Sequence, residues 1–169
     1  MLPDKTIIGR GESVNFPSIG LKNIPAKIDT GADSSSIWCS KVKMRDGSLS
    51  CVLFAPGSKY YTGDEIVFGA SELEVTRVAS SFGHKQLRYK VKLPVEIKGR
   101  TIRASFTLTD RSTKLYPILI GRSTLQGKFV VDVTKDSPLG KQETARKKRL
   151  QSEMKRIKEE LDSENSNLI

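Results

Sequence analysis

Asp29-Thr30-Gly31-Ala32 sits in the stretch AKIDTGADSSSI, where an apolar run gives way to small polar residues. At a strand end, Gly31 lets the chain turn where a Cβ would clash and lets a second backbone or a ligand approach closely. The Thr30 hydroxyl can bridge a short gap to another backbone. Ala26, Ile28, Ala32 and Ile37 supply an apolar floor, so Asp29 is a carboxylate presented on a rigid loop. A carboxylate held in that way can take up or deliver a proton. The tripeptide alone also suits an ordinary surface turn, so a second signal has to accompany it. That signal is YPILIGRSTL at 116–125, an apolar run ending in Gly121-Arg122, with Gly121 lying 92 residues after Asp29.

The elements that must position these residues read as strands. KTIIG, IPAKID, CVLF, DEIVF, LEVTRVA, RYKVKLPVEI, TIRASFTLT, YPILIG and KFVVDV are β-branched or aromatic runs, several with period two. Gly and Pro punctuate them, and VEIKGRTIRASF reads as a hairpin turning at Lys98-Gly99. Helical character in this region is limited to a short turn at Arg122 to Gln126. These features predict an all-β body over residues 1–135, a small closed or partly open barrel. Residues 136–169 form a charged, helix-prone tail. Within it, Leu150, Met154, Ile157 and Leu161 recur at spacings of 4, 3 and 4, a single apolar seam. That seam could pack on the body, pair with a second copy or stay frayed.

Composition narrows the chemistry. The chain of 169 residues carries a formal net charge of +10. From Lys135 onward there are nine Lys/Arg against seven Asp/Glu, so about +8 belongs to residues 1–134. A basic body attracts acidic peptide, nucleic acid or anionic lipid without choosing among them. With one histidine and two cysteines the sequence has no HExxH or C-x-x-C pattern, and it has no G-x-x-x-x-G-K-[ST] loop. No cofactor and no metal are therefore expected. No apolar run is long enough to span a membrane, and MLPDKTIIGRGESV lacks a signal-peptide core. The expected location is cytoplasmic, with Cys39 and Cys51 reduced.

Together, hydrophobic-D-T-G-A and a later hydrophobic-hydrophobic-G-R resemble the two halves of the pattern of retropepsin-like aspartic peptidases. The likeness is closest to the bacterial branch often labelled "ATP-dependent zinc protease". It rests on IGRGESVNFPSIGLKNIPAKIDTGADSSSI, GHKQLRY at 83–89 and TLTDRSTKLYPILIGRSTLQGKFVVDV at 107–133. It covers roughly residues 5 to 135. That branch usually carries Arg after DTGA, whereas Asp33 stands here, as in viral retropepsins, where it pairs with the Arg of G-R. The resemblance therefore implies an Asp33–Arg122 ion pair bracing the loop.

The resemblance further implies an acid-protease barrel, an endopeptidase activity and a site built on Asp29, Thr30 and Gly31. Such a peptidase needs two carboxylates sharing a proton, because two like charges in contact cannot both ionise. This chain has one D-T-G, so the second carboxylate has to come from a second copy: a homodimer is implied. Substrate would be held by Ala32, Asp33 and a glycine-bearing flap, RVASSFGHKQLRY, through Ser81, Phe82, Gly83, His84 and Arg88. Arg77, Lys85, Arg88 and Lys90 make that segment basic, which favours acidic peptides. The branch is also associated with ATP-grasp ligases that add glutamates to proteins, which suggests glutamate-tailed substrates. Two other readings remain open on the residues alone. One is a non-catalytic module binding an acidic or ribosomal partner. The other, a nucleic-acid-binding barrel, lacks interleaved aromatics for base stacking.

Overall fold

A computed structural model of the chain describes residues 4–79 and 85–166. Its strands are β1 (Thr6–Ile8), β2 (Gly11–Phe16), β3 (Leu21–Ile28), β4 (Ser35–Arg45), β5 (Ser48–Leu53), β6 (Glu65–Phe68), β7 (Leu73–Ala79), β8 (Lys85–Ile97), β9 (Arg100–Thr109), β10 (Ile118–Ile120) and β11 (Phe129–Val131). The helices are α1 (Arg122–Leu125) and α2 (Gly140–Ser166), with 3-10 turns at Pro17–Ile19 and Ala70–Glu72.

Six strands close a barrel, in the order β10-β3-β2-β8-β9-β4 and back to β10. Closure depends on three residues. Ile118 of β10 lies opposite Ala26 in a parallel pairing with β3 and opposite Ile37 in an antiparallel pairing with β4. β10 is thus a short wedge joining two strands that would otherwise be edges. The barrel is filled by side chains that alternate inward along each strand. Val14 and Phe16, Ile24 and Ala26, Val91, Val95 and Ile97, Phe106, Ile118 and Ile120 are all buried. Phe16 and Phe106 meet edge to face at 5.5 Å, the arrangement ring quadrupoles prefer. The expected all-β barrel is the observed fold.

Two hairpins have the same local cause. Lys98 and Gly99 have φ of 49° and 75°, as do Asp46 and Gly47 at 48° and 74°. Positive φ at both central positions twists a two-residue turn in the sense of the strands it joins. The first turn lies where the sequence places it. The second, joining β4 to β5, was not expected, and neither were β2 or β4 themselves. In β2 the buried face includes Glu12, whose carboxylate accepts from the Gly9 N–H at 2.7 Å and pairs with Lys98 at 3.3 Å. In β4 the first two residues, Ser35 and Ser36, on opposite faces of the strand, are both buried. Polar residues occupy buried positions in both strands, which hides their period.

β8 is the longest strand. Its first part pairs with β7, from Leu73 opposite Val91 to Ala79 opposite Lys85, and its second part pairs with β9. β7 and β8 therefore form the arms of a hairpin around residues 80–84. β1 and β11 form a separate two-stranded parallel sheet, Thr6 opposite Phe129. Cys39 and Cys51 are buried free thiols. A hydrogen bond between them holds Cys39 below and Cys51 above the ordinary thiol range.

Residues 1–138 form one compact unit and residues 139–169 another. The second unit is α2, 27 residues long. No helix among the described residues is long and apolar enough to cross a membrane.

Three surface carboxylates, Asp110 and Glu74 exposed and Asp132 half-buried, are held below their ordinary range by local donors. Asp110 accepts from the Ser112 N–H at 2.8 Å and the Ser112 hydroxyl at 3.1 Å. Asp132 accepts from the Thr134 hydroxyl at 2.6 Å and its N–H at 3.0 Å. Glu74 is lowered chiefly by Lys92 at 3.1 Å. A carboxylate whose folded value is depressed contributes stability that is present above its unfolded value of about 4 and lost as pH falls through the folded value. We expect a Tm insensitive to these groups above pH 5 and falling below about pH 4. In Asp110→Asn/Asp132→Asn that acid-side slope should be shallower, as read by thermal melts between pH 2 and 7.

Candidate active site

β3 ends at Ile28, and the Asp29 N–H continues the ladder by donating to the Ile120 carbonyl at 2.9 Å. The chain then turns tightly. Asp29 Oδ1 accepts from the Gly31 N–H at 3.0 Å and the Ala32 N–H at 3.2 Å. One carboxylate oxygen is thereby fixed by two backbone donors, while Oδ2 has no hydrogen-bond partner among the described residues. Asp29 is half-buried, and Thr30, Gly31 and Asp33 are exposed. The Thr30 hydroxyl likewise has no partner among the described residues.

The loop after β10 is bolted to this turn. Arg122 N–H donates to the Ala32 carbonyl at 2.8 Å and Ser123 N–H to the Asp33 carbonyl at 3.1 Å. Gly121 N–H donates to Ser35 Oγ at 3.0 Å, and Ser35 Oγ shares a hydrogen bond of 2.8 Å with Thr124 Oγ1. Thr107 Oγ1 donates to the Ser35 carbonyl at 3.2 Å. Ser35 therefore ties β4, β9 and α1 together. The Arg122 guanidinium donates to the exposed Asp33 carboxylate. Gly121 is packed so closely that a Cβ there would lie 2.6 Å from the Ser34 carbonyl carbon and oxygen. D-T-G-A and G-R, far apart in sequence, form one backbone-welded unit.

Arg111, which the sequence reading passed over, completes the setting. Its Nε donates to the Tyr116 carbonyl and its Nη1 to Ser36 Oγ, each at 3.0 Å. Burial pushes the guanidinium below its ordinary value, the nearby Arg88 cation pushes the same way, and the Asp29 carboxylate opposes both. A half-buried cation thus stands within electrostatic reach of Asp29 and of the β8 arm. Its only sequence signal is TDRST between two apolar runs, which reads as a solvated loop. Ser35, Ser36 and Thr124 were missed for a related reason: small hydroxyls look like turn residues until their partners are known.

Of the residues expected in a flap, Arg88 lies on β8 opposite Thr76. Ser81, Phe82, Gly83 and His84 lie outside the described residues. Lys90 is 3.7 Å from Glu74, so part of the basic charge on this hairpin is balanced locally. Beside the loop lies a cleft of about 760 Å³ lined by Thr30, Asp33, Arg122, Leu125 and Phe129 among others.

Comparison with known proteins agrees with this geometry. A protein from Shewanella pealeana named "Probable alpha-L-glutamate ligase" is 30% identical over 146 residues, which cover 83% of this chain and 31% of that protein. Proteins of the same name from Shewanella halifaxensis and Desulfotalea psychrophila are 29% and 23% identical, over 31% and 30% of their lengths. The chain thus spans about a third of the curated relatives it matches. Among solved structures, a Legionella pneumophila protein described as of unknown function superposes with a TM-score of 0.59 at 23% identity. That match covers 80% of this chain and 98% of the other, and it shows a shared fold. Residues 7–142 match the family described as "Retropepsin-like aspartic endopeptidase RimB". This stretch contains both halves of the welded loop unit, and the chain belongs to the RimB-like family of retropepsin-like aspartic endopeptidases.

Proposed function

We propose that the chain is a homodimeric aspartic endopeptidase acting on acidic, glutamate-rich peptide tails. The observation that carries the reading is the Asp29 carboxylate, fixed through Oδ1 by two backbone N–H groups and open at Oδ2. Peptide hydrolysis by carboxylates requires a pair. One ionised member takes a proton from water as the oxygen attacks the scissile carbonyl carbon. The other, protonated, donates to the carbonyl oxygen and so stabilises the developing negative charge. Asp29 from two chains supplies that pair about a twofold axis. The exposed Thr30 hydroxyl and the apolar side chains of the adjoining cleft support a partner chain at this surface. The Gly31 and Ala32 N–H groups keep Oδ1 from rotating, so that Oδ2 is the oxygen presented to water and to its counterpart.

Three facts support an acidic substrate. The body is strongly basic. Arg111 stands within electrostatic reach of both Asp29 and Arg88. Proteins named as glutamate ligases contain a region similar to this chain, so a hydrolase of glutamyl peptides is a natural chemical counterpart.

The test is a mass-spectrometric cleavage assay on a diverse peptide pool that includes glutamate-tailed members, across pH 4 to 8 and a range of enzyme concentrations. Among the described residues no three His, Cys, Asp or Glu side chains converge as metal ligands do, and a parallel sample with chelator is therefore included. Chelator-resistant cleavage whose rate rises more than linearly with enzyme at low concentration supports the reading. Absence of cleavage by a folded dimer would favour a binding platform for an acidic partner. Arg111→Gln is expected to lower kcat/KM on glutamate-tailed peptides by about 10- to 100-fold, the scale of one charge-assisted contact. It should lower kcat/KM much less on neutral peptides, and an equal loss on both would remove Arg111 from substrate selection.

A further inference from the structure

The apolar seam of α2 faces solvent. Leu150, Met154, Ile157 and Leu161 are 46%, 70%, 51% and 54% exposed. Spacings of 4, 3 and 4 are those of alternating d and a positions of a heptad, d-a-d-a. The seam is bounded on its N-terminal side by Lys147 and Glu143, which fall on the preceding a and d positions. The potential contact therefore runs from Leu150 to Leu161, about two heptads, and no further.

We propose that α2 pairs in parallel with α2 of a second copy of this chain, as a short coiled coil that tightens the dimer. The inference rests on the dimeric reading of the site, because two heptads are too few to hold two free chains together. Ile157 at d and Leu161 at a are also the less favourable order for a parallel pair, which keeps the contribution auxiliary. Once two bodies associate, however, their helices meet at a high effective concentration, and a weak seam then counts.

Charge selects the partner and the direction. With Met154 and Leu161 at a, Glu153 and Glu160 fall at g, and Gln151 and Lys158 fall at e. In a parallel pair each g residue faces the e residue five positions further along the other chain. Glu153 then faces Lys158 of the second copy, and symmetry produces the pair twice. An antiparallel pair that keeps the four apolar layers in contact sets Leu150 against Leu161. It brings Glu153 against Glu160 of the other copy, also twice. Like charges across that rim oppose the antiparallel arrangement, and opposite charges favour the parallel one. On the outer face of the helix, away from the seam, Lys155 and Glu159 pair at 3.7 Å and take no part in the rim. A parallel pair obeys the same twofold symmetry that a shared Asp29 dyad requires.

The experiment is sedimentation equilibrium on the full chain, with cleavage measured at matched concentrations. Glu153→Lys and Lys158→Glu each convert both rim pairs into repulsions, and each is expected to raise the dimer Kd about tenfold. The double variant Glu153→Lys/Lys158→Glu restores opposite charges and is expected to return to the wild-type Kd. An equimolar mixture of the two single variants is expected to form heterodimers in preference to either homodimer. Met154→Lys/Ile157→Lys removes two apolar layers and should weaken the dimer further. Cleavage at saturating enzyme should be unchanged in all of them, with the loss confined to low concentration. Unchanged self-association of the single variants, failure of the double variant to recover, or a tetramer would each overturn the pairing. If the Kd pattern holds but no peptide is cleaved at any concentration, the helix pairing stands and the peptidase reading falls.

Discussion

Asp29→Asn is expected to reduce peptide hydrolysis by about 10³-fold or more without changing the fold or the dimer. The substitution is close to isosteric. An Asn carbonyl oxygen can accept the Gly31 and Ala32 N–H groups that Oδ1 accepts now at 3.0 and 3.2 Å, so the turn persists. What is lost is the group that can cycle between carboxylate and carboxylic acid. A dimer with Asn on both sides can neither take the proton from water nor return one to the leaving amine. Mixing supplies the sharper measurement. If wild-type and Asp29→Asn chains are combined in equal amounts and assort freely, wild-type homodimers are about a quarter of all dimers. Activity per wild-type chain should then fall to about half. Activity per wild-type chain that is indifferent to added variant would mean that each chain works alone and that the dyad is wrong.

Gly121→Ala has the second-largest expected effect, and it acts on the loop rather than on the chemistry. The new methyl would sit 2.6 Å from the Ser34 carbonyl carbon and oxygen and 2.9 Å from the Ala32 carbonyl oxygen. Both neighbours are backbone, so no side chain can swing aside. The loop carrying Asp29 has to move away from α1, stretching the Arg122-to-Ala32 and Gly121-to-Ser35 hydrogen bonds. Overpacking of this kind costs about 1–3 kcal/mol, and displacing a catalytic group by about 1 Å costs roughly 10²-fold in rate. Denaturant melts and kcat together check it: a fall in kcat well beyond the fraction unfolded is the expected signature. A variant with wild-type kcat would show that the weld between the two loops does not position Asp29.

How much of this was legible in the sequence depended on what each residue's signal was made of. Asp29-Thr30-Gly31 alone could have been an ordinary turn; it became readable only with Gly121-Arg122, because the two together, in that order and in a β-rich chain, resemble a known two-part pattern. Lys98-Gly99 was readable because a glycine beside a polar residue between alternating runs has one common geometry. β2 and β4 were not readable. Glu12 is buried against Lys98 and the Gly9 N–H, and Ser35 is buried against Gly121 and Thr124. Apart from Gly9, their partners come from distant parts of the chain, so local hydropathy points the wrong way. Arg111 failed to register for the same reason: its value lies in what surrounds it, namely Tyr116, Ser36 and the carboxylate of Asp29.

The wedge formed by Ile118–Ile120 also sets a timetable. A chain emerging from the ribosome has made β2 through β9 before β10 exists, so until then the barrel is an open sheet with two unsatisfied edges. The last brace of the Asp29 loop arrives only with Gly121 and Arg122, some 90 residues after the aspartate itself. Closure over such a separation is slow compared with local hairpin formation. During synthesis the Asp29 carboxylate therefore has no counter-loop to hold it until translation has passed the wedge.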